Sequence, residues 1–166
     1  MKTTLAVSLV KFADLYDGAL FIGKFKDLNH VMIKGFQMIH DDRFVWPVIL
    51  SPALDDFDNK PALVQKNVVE RAPVIRVEDF ELSVSLDPSG MTIESEYIPD
   101  VGAVFLFETG FHICVRAVGP EWTDALINVQ TGEIVQRPDS PANAKITSWQ
   151  IRRRISDEVE IIVEYP

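Results

Sequence analysis

Two short clusters in the sequence carry residue types that are able to do chemistry. In the first, His112, Cys114 and Arg116 alternate along one predicted strand, so their side chains share a face. A histidine beside a cysteine is the arrangement that activates a thiolate nucleophile. Side chains two apart on a strand are too distant for an ideal hydrogen bond, however, and cysteine is commonly a small buried hydrophobe. We therefore interpret this cluster as structural.

The second cluster is His40, Asp41 and Asp42, which has the residue types of a metal or acid–base site. Consecutive residues cannot all point at one metal ion, and Asp is favoured in turns because its side chain bonds nearby backbone N–H groups. We interpret the cluster as a hairpin turn. The segment "DDFDNK" (55–60) lacks the Gly and Glu positions of a calcium loop, so we interpret it as an acidic lead into a helix.

Other catalytic patterns are missing from the sequence. It has no Gly-rich phosphate loop, no nucleophile elbow and no histidine pair at metal-ligand spacing. Its single cysteine excludes an internal disulfide framework and cannot by itself build a zinc site. The sequence therefore predicts a non-enzymatic protein with no cofactor and no bound metal.

Length and composition predict a single globular domain. The chain has 166 residues, of which 47% are apolar, which suits one domain over residues 1–166 with a sizeable core. No apolar run reaches the roughly 18 residues that cross a bilayer. The apolar stretch near the amino terminus is short, Lys11 interrupts it, and no small-residue cleavage site follows. We interpret that stretch as a first strand, and we expect a cytoplasmic protein without membrane contact.

The distribution of charge suggests what kind of partner the protein binds. Its net charge of −9 repels DNA and RNA, so we expect no direct binding to nucleic acid. Between Arg76 and Arg116 the chain has eight acidic residues and no Lys or Arg. We expect acids of this interval to bind a basic protein partner, although a solvated face that only adds solubility is the alternative. The candidate partner-binding residues are Glu78, Asp79, Glu81, Glu94, Glu96 and Asp100.

A predicted hairpin over residues 80–97 strengthens this interpretation. The turn "DPSG" (87–90) has Asp first, Pro second and Gly fourth, which suits a β-turn. The register that follows from this turn puts Glu81 directly opposite Glu96. Like charges that face each other across two strands are destabilising, and no Lys in the hairpin offsets them. The pair therefore favours a face that is completed by a positively charged partner.

The fold class follows from many short strand signals and one helix. Apolar β-branched and aromatic runs alternate with turn residues, and the longest predicted strand covers 145–155. A helix is predicted over 61–71, since proline suits its first turn and Ala72-Pro73 ends it. We expect a mainly β fold, or an α+β one, built as an antiparallel β-sandwich or as a strongly curled sheet or partial barrel. Two further hairpins are predicted, with loops at 108–110 and 156–158.

The last hairpin holds the only dense basic cluster of the sequence, Arg152, Arg153 and Arg154. Its predicted register puts Arg153 opposite Ile161 on the apolar face. There Arg153 needs a carboxylate partner, or it lies over Trp149 as a cation–π contact. The cluster could also bind the acidic face of another copy and join chains head to tail into a homo-oligomer.

Three functions remain after this reasoning. We expect a non-enzymatic acidic protein that binds a basic protein surface, as an inhibitor, an immunity-type protein or a nucleic-acid mimic would. The first alternative is a self-assembling subunit of a phage or secretion particle. The second is a small-molecule-binding β fold or a minor enzyme, which requires an enclosed apolar pocket near His112 or Arg153.

Overall fold

The computed structural model describes a mainly β protein with one α-helix, which confirms the predicted fold class. Its sheets are mostly antiparallel and do not close into a barrel. The residues that the structure describes are 8–51, 60–85, 87, 89–93, 97–117, 124–136, 138, 142–155 and 157–166. Two of the predicted partner-binding acids, Glu94 and Glu96, lie outside these residues.

Fifteen strands and one short helix follow one another along the described chain. A 3₁₀ turn at Phe12–Asp14 precedes β2, and α1 covers Asn67–Glu70. The strands are β1 Ser8–Val10, β2 Leu20–Phe25, β3 Leu28–Ile39, β4 Asp42–Ile49, β5 Ala62–Leu63, β6 Val74–Val77, β7 Phe80–Val84, β8 Met91–Thr92, β9 Val104–Phe107, β10 Gly110–Arg116, β11 Asp124–Asn128, β12 Ile134–Val135, β13 Ala144–Ile146, β14 Trp149–Ile155 and β15 Glu158–Tyr165.

The strands form one large and one small sheet. The large sheet has the order β1-β6-β2-β3-β4-β5-β10-β9-β13-β8, and β11 and β12 extend it from β10. The small sheet has the order β15-β14-β7. Every strand pair is antiparallel except β5 with β10. The chain passes from the large sheet to the small one twice, between β6 and β7 and again between β13 and β14.

Alternation along the strands buries both faces of the large sheet. One face packs on the small sheet, and the buried residues of this main core include Leu20, Ile33, Val48, Ile113, Trp149, Ile151 and Val163. The opposite face is covered in two places. The 3₁₀ turn and α1 cover one part with Phe12 and Val69, and a second cluster surrounds Phe105 and Cys114.

Trp149 joins the two sheets. Its indole Nε1–H donates to the carbonyl oxygen of Gly102 at 2.7 Å, and its side chain is 1% exposed. The ring of Tyr165 stacks on it with centroids 5.3 Å apart and planes at 6°. Buried tryptophan is favourable only when the N–H finds an acceptor, which the Gly102 carbonyl supplies. This contact holds the small sheet against the large one.

The predicted 80–97 hairpin is wrong. Its two strands lie in different sheets, because β7 pairs with β14 whereas β8 pairs with β13. Val84 lies opposite Trp149, and Met91 lies opposite Ile146. Pairing with β14 packs alternate residues of β7 on the main core, which a local hairpin at the surface would not do. Glu81 is therefore the cross-strand neighbour of Arg152.

The other two hairpins form, with changes of register. Between β9 and β10 the turn has two residues rather than three, so Phe105 lies opposite His112 instead of Ile113. Gly110, with φ of 110°, closes this tighter turn because glycine adopts that conformation without strain. Between β14 and β15 the pairing of Ile151 with Val163 is confirmed. A bulge after Ile151 then shifts the outer half, so Arg153 faces Glu160 rather than an isoleucine.

Two predicted elements are divided. The helix is confined to Asn67–Glu70, and the first part of the predicted 61–71 segment is β5, which pairs with β4 and β10. Leu63 and its neighbours are buried there, so tertiary pairing overrides the helical spacing of the sequence. The predicted strand 145–155 breaks at Thr147 and Ser148, and its halves belong to different sheets.

A methyl group added at Gly102 should weaken the contact between the sheets. Gly102 has φ of 101°, where a side chain is strained, and an added Cβ would collide with the hydroxyl group of Tyr165. We expect Gly102→Ala to lower the free energy of unfolding by about 2 kcal/mol or more in urea denaturation. Gly90→Ala is the control, because its Cβ would meet Thr147 Oγ1 at an ordinary 3.5 Å. Equal stability of the two variants would contradict the inference that the packing of Tyr165 against Gly102 holds the two sheets together.

Candidate functional site: a cleft beside the small sheet

A cleft of about 550 Å³ lies between β7 and the large sheet. Volumes of this size are typical of ligand sites. Its inner surface is apolar, and its rim carries polar groups from three separate segments. The inner residues are Leu20, Ile33, Phe80, Leu82, Phe111, Val129 and Ile151, and the rim consists of Tyr16, Gly18, Asp79, Glu81 and Gln130.

Strand β7 brings two of the predicted partner-binding acids to this rim. Asp79 directly precedes the strand with φ of 55°, a conformation that Asp tolerates better than most residues. Its backbone carbonyl oxygen accepts a hydrogen bond from the Arg154 N–H at 3.3 Å, which holds the start of β7 on β14. Glu81 is exposed and points to the face of the small sheet that lies away from the main core.

The remaining described acids of the predicted set are neutralised within the chain. Glu78 forms an ion pair with Arg76, and Asp100 forms one with Lys145 at 2.9 Å. One of these bases, Arg76, directly borders the base-free interval, and the other, Lys145, comes from β13. Within the described residues, Asp79 and Glu81 form no ion pair within 4.0 Å, although Arg152 is the cross-strand neighbour of Glu81, and both acids line the cleft.

A buried lysine positions the wall that carries Tyr16 and Gly18. Lys34 on β3 is 6% exposed, and its Nζ donates to the carbonyl oxygens of Leu15 at 2.5 Å and Ala13 at 3.2 Å. Burial lowers the pKa of Lys34, and the nearby Asp17 carboxylate opposes that shift. Because the ammonium group ties two carbonyls of this segment to β3, the wall is fixed rather than free to collapse into the cleft.

Asn128 organises the third wall, which includes Val129 and Gln130. Its Oδ1 accepts hydrogen bonds from the backbone N–H groups of Gln130 at 2.9 Å and Thr131 at 3.0 Å. Its Nδ2 donates to the Thr109 carbonyl oxygen at 3.0 Å, which joins this turn to the β9–β10 turn. The Asn128 amide therefore fixes the position of two residues that line the cleft.

His112 lies behind this wall and is 6% exposed. Its Nδ1 is 3.1 Å from the Gly110 carbonyl oxygen, and its Nε2 is 3.4 Å from Asn128 Nδ2. These contacts suit a neutral imidazole that donates from Nδ1 and accepts at Nε2. Burial lowers the pKa of His112, while the Gly110 carbonyl and Glu133 oppose the shift. His112, predicted as a candidate site residue, thus contacts Asn128 behind the wall and does not line the cleft.

Cys114 belongs to a separate buried cluster. Its Sγ lies 3.6 Å from the Tyr97 hydroxyl oxygen, and that hydroxyl donates to Asp124 at 3.3 Å. Burial raises the pKa of the Cys114 thiol to about 11, so it stays protonated near neutral pH. Since both ring nitrogens of His112 face other partners, this arrangement does not form an activated thiolate.

The predicted basic cluster spreads over both faces of the small sheet. Arg152 lies opposite Glu81 and Ile161, and its Nε donates to Gln150 Oε1 at 2.9 Å. Arg153 is half-buried between Phe80 on one neighbouring strand and Glu160 on the other. The shifted register therefore makes Glu160, rather than Ile161, the cross-strand neighbour of Arg153. Arg154 is exposed near the end of β14.

The other predicted clusters have simple structural roles or lie outside the described residues. His40 and Asp41 form the β3–β4 turn, which confirms the turn interpretation. Most of the "DDFDNK" segment lies outside the described residues. In the part of the chain that the structure describes, no group of three or more His, Cys, Asp or Glu residues could hold a metal ion.

Comparisons with known proteins do not assign the chain to a family. No protein-family model, curated protein or solved structure matches it. Among the described residues, no helix is long and apolar enough to cross a membrane.

The protein should become less stable to unfolding as the pH falls, because His112 is buried behind the wall of the cleft. The unfolded imidazole of His112 titrates near its ordinary pKa of 6.5, whereas burial lowers the pKa in the fold. The unfolded chain therefore takes up the proton first. The contribution of His112 to the free energy of unfolding is fully present above pH 6.5. Below that pH it decreases by up to about 1.4 kcal/mol per pH unit. Urea denaturation at a series of pH values measures this slope.

The variant His112→Gln tests this assignment, because an amide can bond to Asn128 but cannot take up the proton. We expect the variant to have a shallower slope of stability against pH than the wild type. Burial also lowers the pKa of His30, so part of the slope should remain. An unchanged slope in the variant would show that His112 does not titrate as inferred.

Proposed function

We propose that this chain is a non-enzymatic interaction protein that binds a basic segment of a protein partner in the cleft. The observation that carries the proposal is the pairing of an apolar inner surface with an acidic rim, Asp79 and Glu81, that has no internal ion-pair partner among the described residues. An inhibitor, an immunity-type protein or a nucleic-acid mimic would act in this way.

The chemistry of the cleft suits lysine and arginine side chains. Their aliphatic stems can lie on apolar surface while their charged ends remain near carboxylates and water. Leu82 and Phe111 offer that apolar surface, and Asp79 and Glu81 belong to the strand segment that borders it. A free lysine side chain alone would gain little at an exposed carboxylate, so the apolar contact must supply much of the affinity.

The net charge of the chain adds a long-range contribution. A charge of −9 attracts a basic partner before contact and raises the association rate, an effect that salt screens over about 10 Å at 0.1 M ionic strength. The cleft then determines where the partner is held. Charge complementarity therefore favours a basic protein over an acidic or neutral one.

Removing the two rim charges should weaken binding. We expect Asp79→Asn with Glu81→Gln to lower the affinity for a basic partner by about five- to tenfold at low salt. The partner is first isolated by affinity capture on wild-type protein, and its binding is then measured by calorimetry. Asparagine retains the ability of Asp79 to adopt a positive φ, so the backbone should be preserved.

A charge-matched control is available in Asp27→Asn with Glu70→Gln. Asp27 also has a positive φ, of 64°, and both acids lie away from the cleft in ion pairs with lysines. This control removes the same number of charges, so it should retain the affinity of the wild type within about twofold. If the two double variants lose the same affinity for the partner, net charge alone explains the loss, and binding at the cleft is contradicted.

Self-assembly is the second candidate function, and a different surface favours it. On β15, Val159 is 52% exposed and Ile161 is 50% exposed. They lie opposite Arg154 and Arg152, so apolar and basic side chains alternate across the outer face of the small sheet. Such a face resembles a contact surface between protein chains.

If this outer face joins copies of the chain, sedimentation velocity should show association that increases with protein concentration. We expect Ile161→Lys to reduce that association, because it places a charge in the apolar part of the face. Since the position is half exposed, the substitution should leave the unfolding transition almost unchanged. A wild-type monomer at every concentration would exclude this candidate.

A further inference from the structure

Strand β7 has one paired edge and one edge that faces the cleft. It is an edge strand of the small sheet, and among the described residues only β14 pairs with it. Unpaired strand edges carry backbone donors and acceptors that are ready to bind another strand. The cleft therefore combines an apolar inner surface and an acidic rim with a row of backbone groups.

The hydrogen bonds at the two ends of β7 show which of its backbone groups point away from β14. Ser85 N–H donates to the Ser148 carbonyl at 3.0 Å, and the Asp79 carbonyl accepts from Arg154 N–H at 3.3 Å. In an antiparallel pair, hydrogen-bonded residues alternate with residues whose N–H and C=O point to the other side. The odd-numbered residues of this stretch are therefore bonded to β14.

The even-numbered residues of β7 direct their backbone groups toward the open edge. These residues are Phe80, Leu82 and Val84, and the first two also line the cleft with their side chains. Three N–H groups and three carbonyl groups are thus presented beside the cleft. A ligand that only inserted a side chain into the cleft would leave them bonded to water, whereas an extended backbone would bind them.

We propose that the basic segment binds as an additional strand along the open edge of β7, which would extend the small sheet to four strands. This inference rests on the proposed function and adds the conformation of the ligand. Main-chain hydrogen bonds supply affinity in strand addition, and pockets for alternate side chains supply specificity. The length of β7, Phe80–Val84, limits the paired part of the ligand to about five residues.

The pleat of the sheet determines the sequence pattern of this ligand. Side chains of an added strand alternate between the two faces of the sheet. On one face they join Phe80 and Leu82 over the apolar inner surface of the cleft, and on the other they lie beside Glu81. The segment therefore alternates apolar residues with lysine or arginine, and a run of consecutive basic residues fits less well.

The test uses a nine-residue peptide of alternating lysine and valine with blocked ends. Two variants of this peptide carry N-methyl groups on alternate residues, one variant in each of the two registers. We expect the parent to bind, and one methylated variant to bind at least tenfold more weakly because it has lost its N–H donors to β7. The other variant keeps those donors and should bind within about threefold of the parent.

Amide hydrogen exchange, measured by NMR on the full chain, gives a second readout. On peptide binding we expect slower exchange at the N–H groups of Leu82 and Val84, which become bonded to the ligand. Glu81 and Ser83 should change less, because their N–H groups are already bonded to β14. This alternation identifies strand addition, since simple burial of the cleft would slow neighbouring amides alike.

The outcomes separate this inference from the proposed function. Binding that depends on Asp79 and Glu81 but shows neither alternation in exchange nor sensitivity to N-methylation overturns strand addition and retains the basic ligand. If the peptide fails to bind while a captured basic protein still binds through the same two acids, strand addition is again overturned and the basic ligand is retained. If neither the peptide nor any basic protein depends on these acids, both proposals are overturned.

Discussion

The hydrogen bond from Trp149 to the Gly102 carbonyl is the contact on which the arrangement of the two sheets depends. It joins residues 47 positions apart and is buried with the stacked ring of Tyr165. A buried indole N–H without an acceptor is costly, so this hydrogen bond favours the observed placement of β14 against the large sheet. Strand β7 pairs with β14 and takes its position from it. The cleft therefore exists because the tryptophan fixes the distance between the sheets.

The walls of the cleft are fixed by polar groups inside an otherwise apolar structure. Lys34 binds carbonyl oxygens on one side, and Asn128 organises a turn on the other. Both side chains are nearly buried, so their hydrogen bonds are strong and specific in direction. A preformed site of this kind requires little reorganisation when a ligand enters, which preserves affinity.

Much of the fold could be predicted from the sequence, because its signals are local. Alternating apolar residues and turn residues indicate strands. The β3–β4 turn lies where it was predicted, and the inner half of the β14–β15 hairpin has the predicted pairing. Errors arose where a distant strand competed with a local one. The turn "DPSG" suits a hairpin, but burial of Leu82 and Val84 against β14 decided the pairing of β7.

The site could be predicted only in part, for the same physical reason. The acidic interval pointed to Asp79 and Glu81, since composition is visible along the chain. That Asp100 is neutralised was not visible, because Lys145 reaches it only through the fold, whereas the pair of Glu78 with Arg76 is local in the sequence. Tyr16 and Gln130 carry no local signal, as they become rim residues only when three segments meet. The bulge after Ile151, which gives Arg153 its glutamate neighbour, also has no clear mark in the sequence.

The pairing of β7 with β14 has a consequence for the order of events during synthesis. Strand β7 leaves the ribosome well before β14, so for a time both of its edges are unpaired and Phe80, Leu82 and Val84 lack their partners. Such a strand is prone to associate with other nascent chains. Glu78, Asp79 and Glu81 lie at that strand and repel similar strands, as charged gatekeeper residues do. The acids of the mature cleft would thus first protect the incomplete chain from aggregation.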